Sequence, residues 1–173
     1  MRRTISAIAI AAFPVSLSGR GAGQNASTRQ VKQVTDGVEG AINKDGNDIK
    51  ILNLLVVAAG GGNAVLVGTI INTADAEDKL LGIAINGTTT SYTGTNTLPK
   101  NTPIIFEGVR ANAKAVLAGF GGSAGSNVKV SLFFAKAGSI TLTAIVRDTK
   151  DDYAGVTAAV DVPMVSPSPT PKK

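Results

Sequence analysis

The chain is 173 residues long and holds no cysteine and no histidine. Those absences exclude disulfides, thiol catalysis, Ser-His-Asp hydrolysis, histidine bases and thiolate or imidazole metal sites. The formal charge is +5, but Arg2, Arg3, Lys172 and Lys173 sit at the two ends, so the middle is near neutral. No basic run is interleaved with stacking aromatics, as nucleic-acid binding requires.

Met1-Arg2-Arg3 opens the chain, an uncharged Ile- and Ala-rich stretch runs from Ile5 to Leu17, and Ser16, Ser18 and Gly19 make a small-residue exit. A positive start, a short apolar run and a small exit are the parts of a secretory signal. The apolar run is about 13 residues, short of the roughly 20 that span a bilayer. Pro14 would also break a buried helix. Residues 1–19 therefore read as an export signal and 20–30 as a flexible polar tether. Residues 31–163 read as a β domain, and 164–173 as a Pro-rich tail whose Ser-Pro-Ser-Pro-Thr-Pro run favours extended backbone.

Eight short apolar runs separated by turn residues fill the β domain. They are Ile49–Val57, Ala64–Asn72, Lys79–Ile85, Thr88–Thr93, Pro103–Phe106, Asn127–Ala135, Ser139–Arg147 and Thr157–Pro163. Most are rich in Val, Ile, Leu and Thr, which suit a pleated, half-buried surface. Val128, Val130, Leu132 and Phe134 share one face of their run, with Lys129, Ser131 and Phe133 on the other. Asn86-Gly87 and Ala137-Gly138 read as hairpin turns, and Gly60-Gly61-Gly62-Asn63 as another connection. Thr73–Lys79 and Ala111–Ala118 are each expected to make a helical turn. This spacing of strands points to an all-β fold, an antiparallel Greek-key sandwich of immunoglobulin or cupredoxin-like type.

Catalytic and metal chemistry have few candidates. Gly60–Gly62 and Gly119–Ser123 lack the Lys-Ser/Thr and helix of a phosphate loop, and read as turns. Asp75, Glu77 and Asp78 form one acidic cluster, and Asp148, Asp151 and Asp152 another. Either could bind Ca²⁺ through oxygen ligands, but neither has the EF-hand spacing, and acidic loops also serve solubility. An enzyme would have to gather Tyr92 or Tyr153 with carboxylates and a lysine. No catalytic, cofactor-binding or metal-ligating residue is assigned, and no cofactor is expected.

Several segments, in order, resemble the actinobacterial LpqE-type envelope lipoproteins. The likeness begins at Leu17-Ser18-Gly19 and Gly21-Ala22-Gly23-Gln24. It continues through Ala76-Glu77-Asp78-Lys79-Leu80-Leu81-Gly82-Ile83 and Leu132-Phe133-Phe134-Ala135-Lys136-Ala137-Gly138-Ser139-Ile140-Thr141, and ends near Val160-Asp161-Val162-Pro163. That family is similar to the periplasmic copper chaperones, small Greek-key β-sandwiches of the PCuAC type. The resemblance implies the fold and an extracytoplasmic location.

Two departures stand out. The lipid-accepting cysteine of a lipobox is replaced by Arg20, so the chain as written cannot be lipidated there. An insertion spans about Arg147–Val156. The chaperones hold Cu(I) through a His-Met, Met, His-x-Met set, which a chain without histidine and with Met164 as its one internal methionine cannot supply. The expected function is a non-catalytic binding or structural role in the cell envelope, with an envelope protein or ligand as partner. Membrane association would run through the N-terminus. The alternative is metal-chaperone-like activity with a non-standard site.

Overall fold

The computed structural model describes residues 36–159. The expected signal, the tether with Arg20, and the Pro-rich tail lie outside the described residues, as does most of the run Thr157–Pro163. The strands are β1 (Val38–Lys44), β2 (Asn47–Ala59), β3 (Asn63–Asn72), β4 (Asp78–Ile85), β5 (Thr88–Thr89) and β6 (Ser91–Gly94). They continue as β7 (Thr97–Leu98), β8 (Ile104–Ile105), β9 (Ala113–Leu117), β10 (Asn127–Phe134) and β11 (Ser139–Asp148). The one helical element among the described residues is a 3₁₀ turn at Asp151–Tyr153.

The expected all-β architecture is present. Hydrogen-bonded neighbours run in the order β5-β4-β10-β11-β2-β3-β9-β6, with β1 on β2, β7 on β4 and β8 on β3. All pairings between strands are antiparallel except β11 with β2, where Val146 lies beside Val56 and Asp148 beside Ala58. β5 and β6 stand at opposite ends of this path, yet only Thr90 separates them in the chain. Before Thr90 the segment pairs with β4, and after it with β9. Buried Thr90 holds the crossing point, its N–H and hydroxyl both donating to the Ile83 carbonyl at 3.0 and 3.3 Å. One strand thus switches sheets and draws the two ends of the path together, the usual corner device of a barrel-like sandwich.

The interior is aliphatic. Ile49, Ile51, Leu54, Leu66, Ile83, Ile85 and Leu132 are all essentially fully buried, with Phe106 the largest fully buried side chain. Each such side chain contributes about 1.5–3 kcal/mol. β10 alternates as its sequence requires, with Val128, Val130, Leu132 and Phe134 inside. β2 does not alternate beyond Leu54, because Leu54, Leu55, Val56 and Val57 are all buried. Its outward side chains Leu55, Val57 and Ala59 join Val65, Val116 and Val156 in a second core on the outer face of the sheet. Tyr153 and Ala158 pack against it from the segment that follows β11. The insertion read around Arg147–Val156 is therefore a cover over that face.

Turn chemistry sets the registers. Asn86 and Gly87 both take positive φ (49° and 85°), as a type I′ hairpin needs, and the Lys129 N–H donates to Asn86 Oδ1 at 2.9 Å. Gly138 closes the β10–β11 hairpin with φ 86°. Asp45-Gly46 joins β1 to β2 with φ 53° and 79°.

The two expected helical turns are not formed. Residues 113–117 are strand β9, since their backbone groups complete ladders with β3 and β6. At 73–77 the side chain of Asn72 organises a loop instead. Its Oδ1 accepts from the Ala74 N–H at 3.0 Å, and its Nδ2 donates to the Ala76 and Leu98 carbonyls, each at 2.8 Å. That is an Asx turn, which competes with helix.

A bulge in β2 lets it serve different neighbours along its length. The pairing with β3 shifts between Leu52 and Leu55, and Asn53 sits there with φ 50°. Asn53 Oδ1 accepts from the Gly37 N–H at 2.8 Å. Asn53→Ala is expected to lower the unfolding free energy by about 2–3 kcal/mol, combining the left-handed backbone penalty with a lost hydrogen bond. Asn53→Gly, which relieves the backbone, should cost only about 1 kcal/mol. Denaturant unfolding of both variants measures the difference, and equal losses would show that the backbone conformation at this bulge carries no strain for alanine.

Candidate functional site

The first acidic cluster disperses. Asp75 is exposed and pairs with Lys100, whose hydrogen bond and charge hold the Asp75 carboxyl below its ordinary range. Asp78 points inward and is 3% exposed. Its carboxylate accepts from the N–H groups of Lys79 at 2.7 Å and of Lys136 and Ala137 at 2.9 Å each. Lys136 Nζ donates to the Glu77 carbonyl at 2.7 Å. With both oxygens of Asp78 committed to backbone, the trio does not make an oxygen cage for Ca²⁺. Asp78 instead fastens the β10–β11 turn onto the start of β4, joining two segments far apart in the chain.

The second cluster disperses as well. Asp148 pairs with Lys150 at 3.0 Å, while Asp151 and Asp152 stand exposed on the 3₁₀ turn. No three acidic, histidine or cysteine side chains gather to hold a metal among the described residues.

The two tyrosines occupy different settings. Tyr92 meets Phe106 edge-to-face, with centroids 6.2 Å apart, and its hydroxyl donates to the Thr95 carbonyl. Burial pushes its phenol up to about 12. Neither contact brings a lysine or carboxylate to its hydroxyl. Tyr153 lies beside the second core, and its hydroxyl donates to Asp36 Oδ2 at 3.3 Å. Asp36 Oδ1 also pairs with Arg147 at 2.9 Å. Burial, then the negative charge of Asp36, raises the Tyr153 phenol above its ordinary value. Asp36, Arg147 and Tyr153 thus clasp the start of β1 to the segment after β11.

Tyr153 also lines an open groove of about 520 Å³ between the 3₁₀ turn and the loop after β8. Val67 and Val156 line it too, Val109 stands at its side, and Glu107 and Asp152 supply carboxylates. Glu107 is partly neutralised by Lys114 at 3.4 Å. The sequence marked Tyr153 and Asp152 but not Glu107 or Val109. The one local signal was an aliphatic residue in the polar loop Glu107-Gly108-Val109-Arg110. The groove has carboxylates and a phenol, but no lysine lines it. It therefore offers shape, negative charge and a phenol.

Among the described residues no histidine, cysteine or methionine stands as a copper donor. The chain has no histidine or cysteine, and Met1 and Met164 lie outside the described residues. Residues 36–159 therefore contain none of the nitrogen or sulfur side chains that copper sites use.

No family model and no curated protein matches the chain. Among solved structures it is similar to three PCuAC domains. The copper-bound PCuAC domain from PmoF2 is 23% identical with a TM-score of 0.53, over 64% of this chain and 98% of that one. The apo PCuAC domain from PmoF1 is 22% identical with a TM-score of 0.53, over 64% and 99%. The apo PmoF2 PCuAC domain is 21% identical with a TM-score of 0.51, over 66% and 98%. At these identities the likeness is one of fold.

The raised phenols make alkaline stability a test of the tyrosine settings. A phenol raised in the folded state adds stability that is whole below the unfolded value near 10 and is lost as pH climbs through the folded value. For Tyr92 that window runs from about 10 to about 12. Spectrophotometric titration of the native protein should show Tyr92 still protonated near pH 10, and Tyr92→Phe should remove the transition near 12. Two ordinary titrations in the native protein would contradict the burial of both rings.

Proposed function

We propose that the chain is an exported, non-catalytic binding protein of the cell envelope, built on a PCuAC-type β scaffold but not on a nitrogen- and sulfur-donor copper site. The observation that carries this reading is the pairing of a PCuAC-like fold with a chain that has no histidine and no cysteine. The fold supplies a β scaffold and the loops that connect its strands, and fold alone does not bring its relatives' ligands with it. Among the described residues no serine, threonine or lysine nucleophile is held against a base by a hydrogen bond in the groove.

A copper-handling role is the second reading, favoured by the copper-bound PCuAC neighbour. Within residues 36–159, which hold no histidine, cysteine or methionine, it would have to use oxygen donors, which suit Cu(I) poorly. Titration of the purified protein with Cu(I) and with Cu(II) separates the two. The expected outcome is no stoichiometric binding tighter than that of a competing chelator. One copper per chain, held against the chelator, would move the function to copper handling.

Export rests on residues 1–19 and on the LpqE-type resemblance. Arg20 at the lipid-acceptor position points to release or to a peptide tether rather than a lipid anchor. The intact mass of protein recovered from producing cells is expected to match cleavage after Ser18 with no added lipid. A mass that retains the first residues, in protein found only in the cytoplasm, would defeat the export reading.

A further inference from the structure

We infer that the groove between the 3₁₀ turn and the 107–109 loop docks an extended peptide segment carrying lysine or arginine beside aliphatic residues. The inference rests on the binding reading above and names its surface and partner class. Three features of the groove carry it.

The first is Val109. It is fully exposed on the loop, its relative exposure 106%, so it adds nothing to the core. Beside the apolar floor of the groove it extends the apolar surface that a partner lying there would cover.

The second is the floor. Val67, Val156 and the Tyr153 ring belong to the second core, so they present a preformed apolar surface. The Tyr153 hydroxyl is anchored on Asp36, which is itself paired with Arg147, so the ring is braced in place. A braced ring at a groove wall suits the stem and head of a basic side chain, by packing and by cation–π attraction.

The third is charge. Glu107 and Asp152 line the groove and no lysine or arginine does. Lys114 offsets Glu107 from one side, but Asp152 has no ion-pair partner among the described residues, and exposed Asp151 adjoins it. Set against Lys114 and against Arg110, which follows Val109, the carboxylates of Glu107, Asp151 and Asp152 leave the site acidic by one charge over an apolar floor, and its complement is a cation next to an aliphatic body. Because it is open to solvent, it fits a passing segment better than an enclosed small molecule.

The test titrates the full-length protein with a short synthetic peptide alternating valine and lysine, followed by amide and methyl NMR shifts. The control is a peptide alternating valine and glutamate. The valine–lysine peptide is expected to shift Val67, Val109 and Val156, and the control is not. Val109→Ser should weaken binding about tenfold and Asp152→Asn about threefold. Both positions are exposed, so unchanged thermal melts show that the variants fold. Equal binding of the two peptides, or affinity indifferent to Val109→Ser, would overturn the inference. So would contacts, in the free protein, between Val109 and residues beyond 159, which would give the groove to the chain's own C-terminal segment. Copper binding would sink the function reading without touching this outcome.

Discussion

Strand β2 has to satisfy its backbone toward β3 on one side and toward two different strands on the other. Its first half pairs with β1 and its last residues with β11. β1 runs antiparallel to it along Asn47–Leu54 and β11 parallel along Val56–Ala58. The exchange happens at Asn53, where a left-handed residue inserts a bulge and re-aims the strand. Two glycines make room for it. A Cβ on Gly37 would lie 2.3 Å from the Asn53 carbonyl carbon, and one on Gly68 would lie 3.1 Å from Leu54 Cα. Both positions need the missing side chain because the backbones touch.

The consequences spread outward. By joining β11, β2 connects the hairpin side of the molecule (β4, β10, β11) to the other side (β3, β9, β6). The sheet switch at Thr90 draws together the opposite ends of this path. Asp78 then pins the β10–β11 turn to β4 by two long-range backbone hydrogen bonds. Asp78 thus joins two segments far apart in the chain: one supplies the carboxylate and the other the turn N–H groups it must satisfy.

Because both faces of β2 are apolar after Leu54, the outer face needs a cover, and the segment after β11 provides it. That cover is also one wall of the groove, with the loop after β8 as the other. Binding surface and stability therefore share residues. Val156 and Tyr153 stabilise the outer core and shape the groove together, whereas Val109 belongs to the groove alone. The scaffold likeness to PCuAC domains and the lack of soft donors among the described residues are compatible, since one fold carries different chemistries on its loops.

The sequence by itself determined the all-β class, the main strands, the Asn86-Gly87 and Ala137-Gly138 turns and the inward face of β10, because period-two alternation and turn residues act locally. It also ruled out histidine and thiol chemistry by composition. The Asp45-Gly46 turn could have revealed β1, whose few apolar residues hid it. Other features were decided only by tertiary structure. β9 is a strand because β3 and β6 offer its backbone partners, which overrides the helical leaning of its alanines. Asp78 became a buried anchor rather than a surface acid because a turn more than fifty residues away brought it N–H groups. The groove, with Glu107 and Val109 facing Asp152 and Tyr153, exists only because the closed sheet brings those loops together. Local pattern reports what a segment wants to bury, while the partner that buries it is chosen by the fold as a whole.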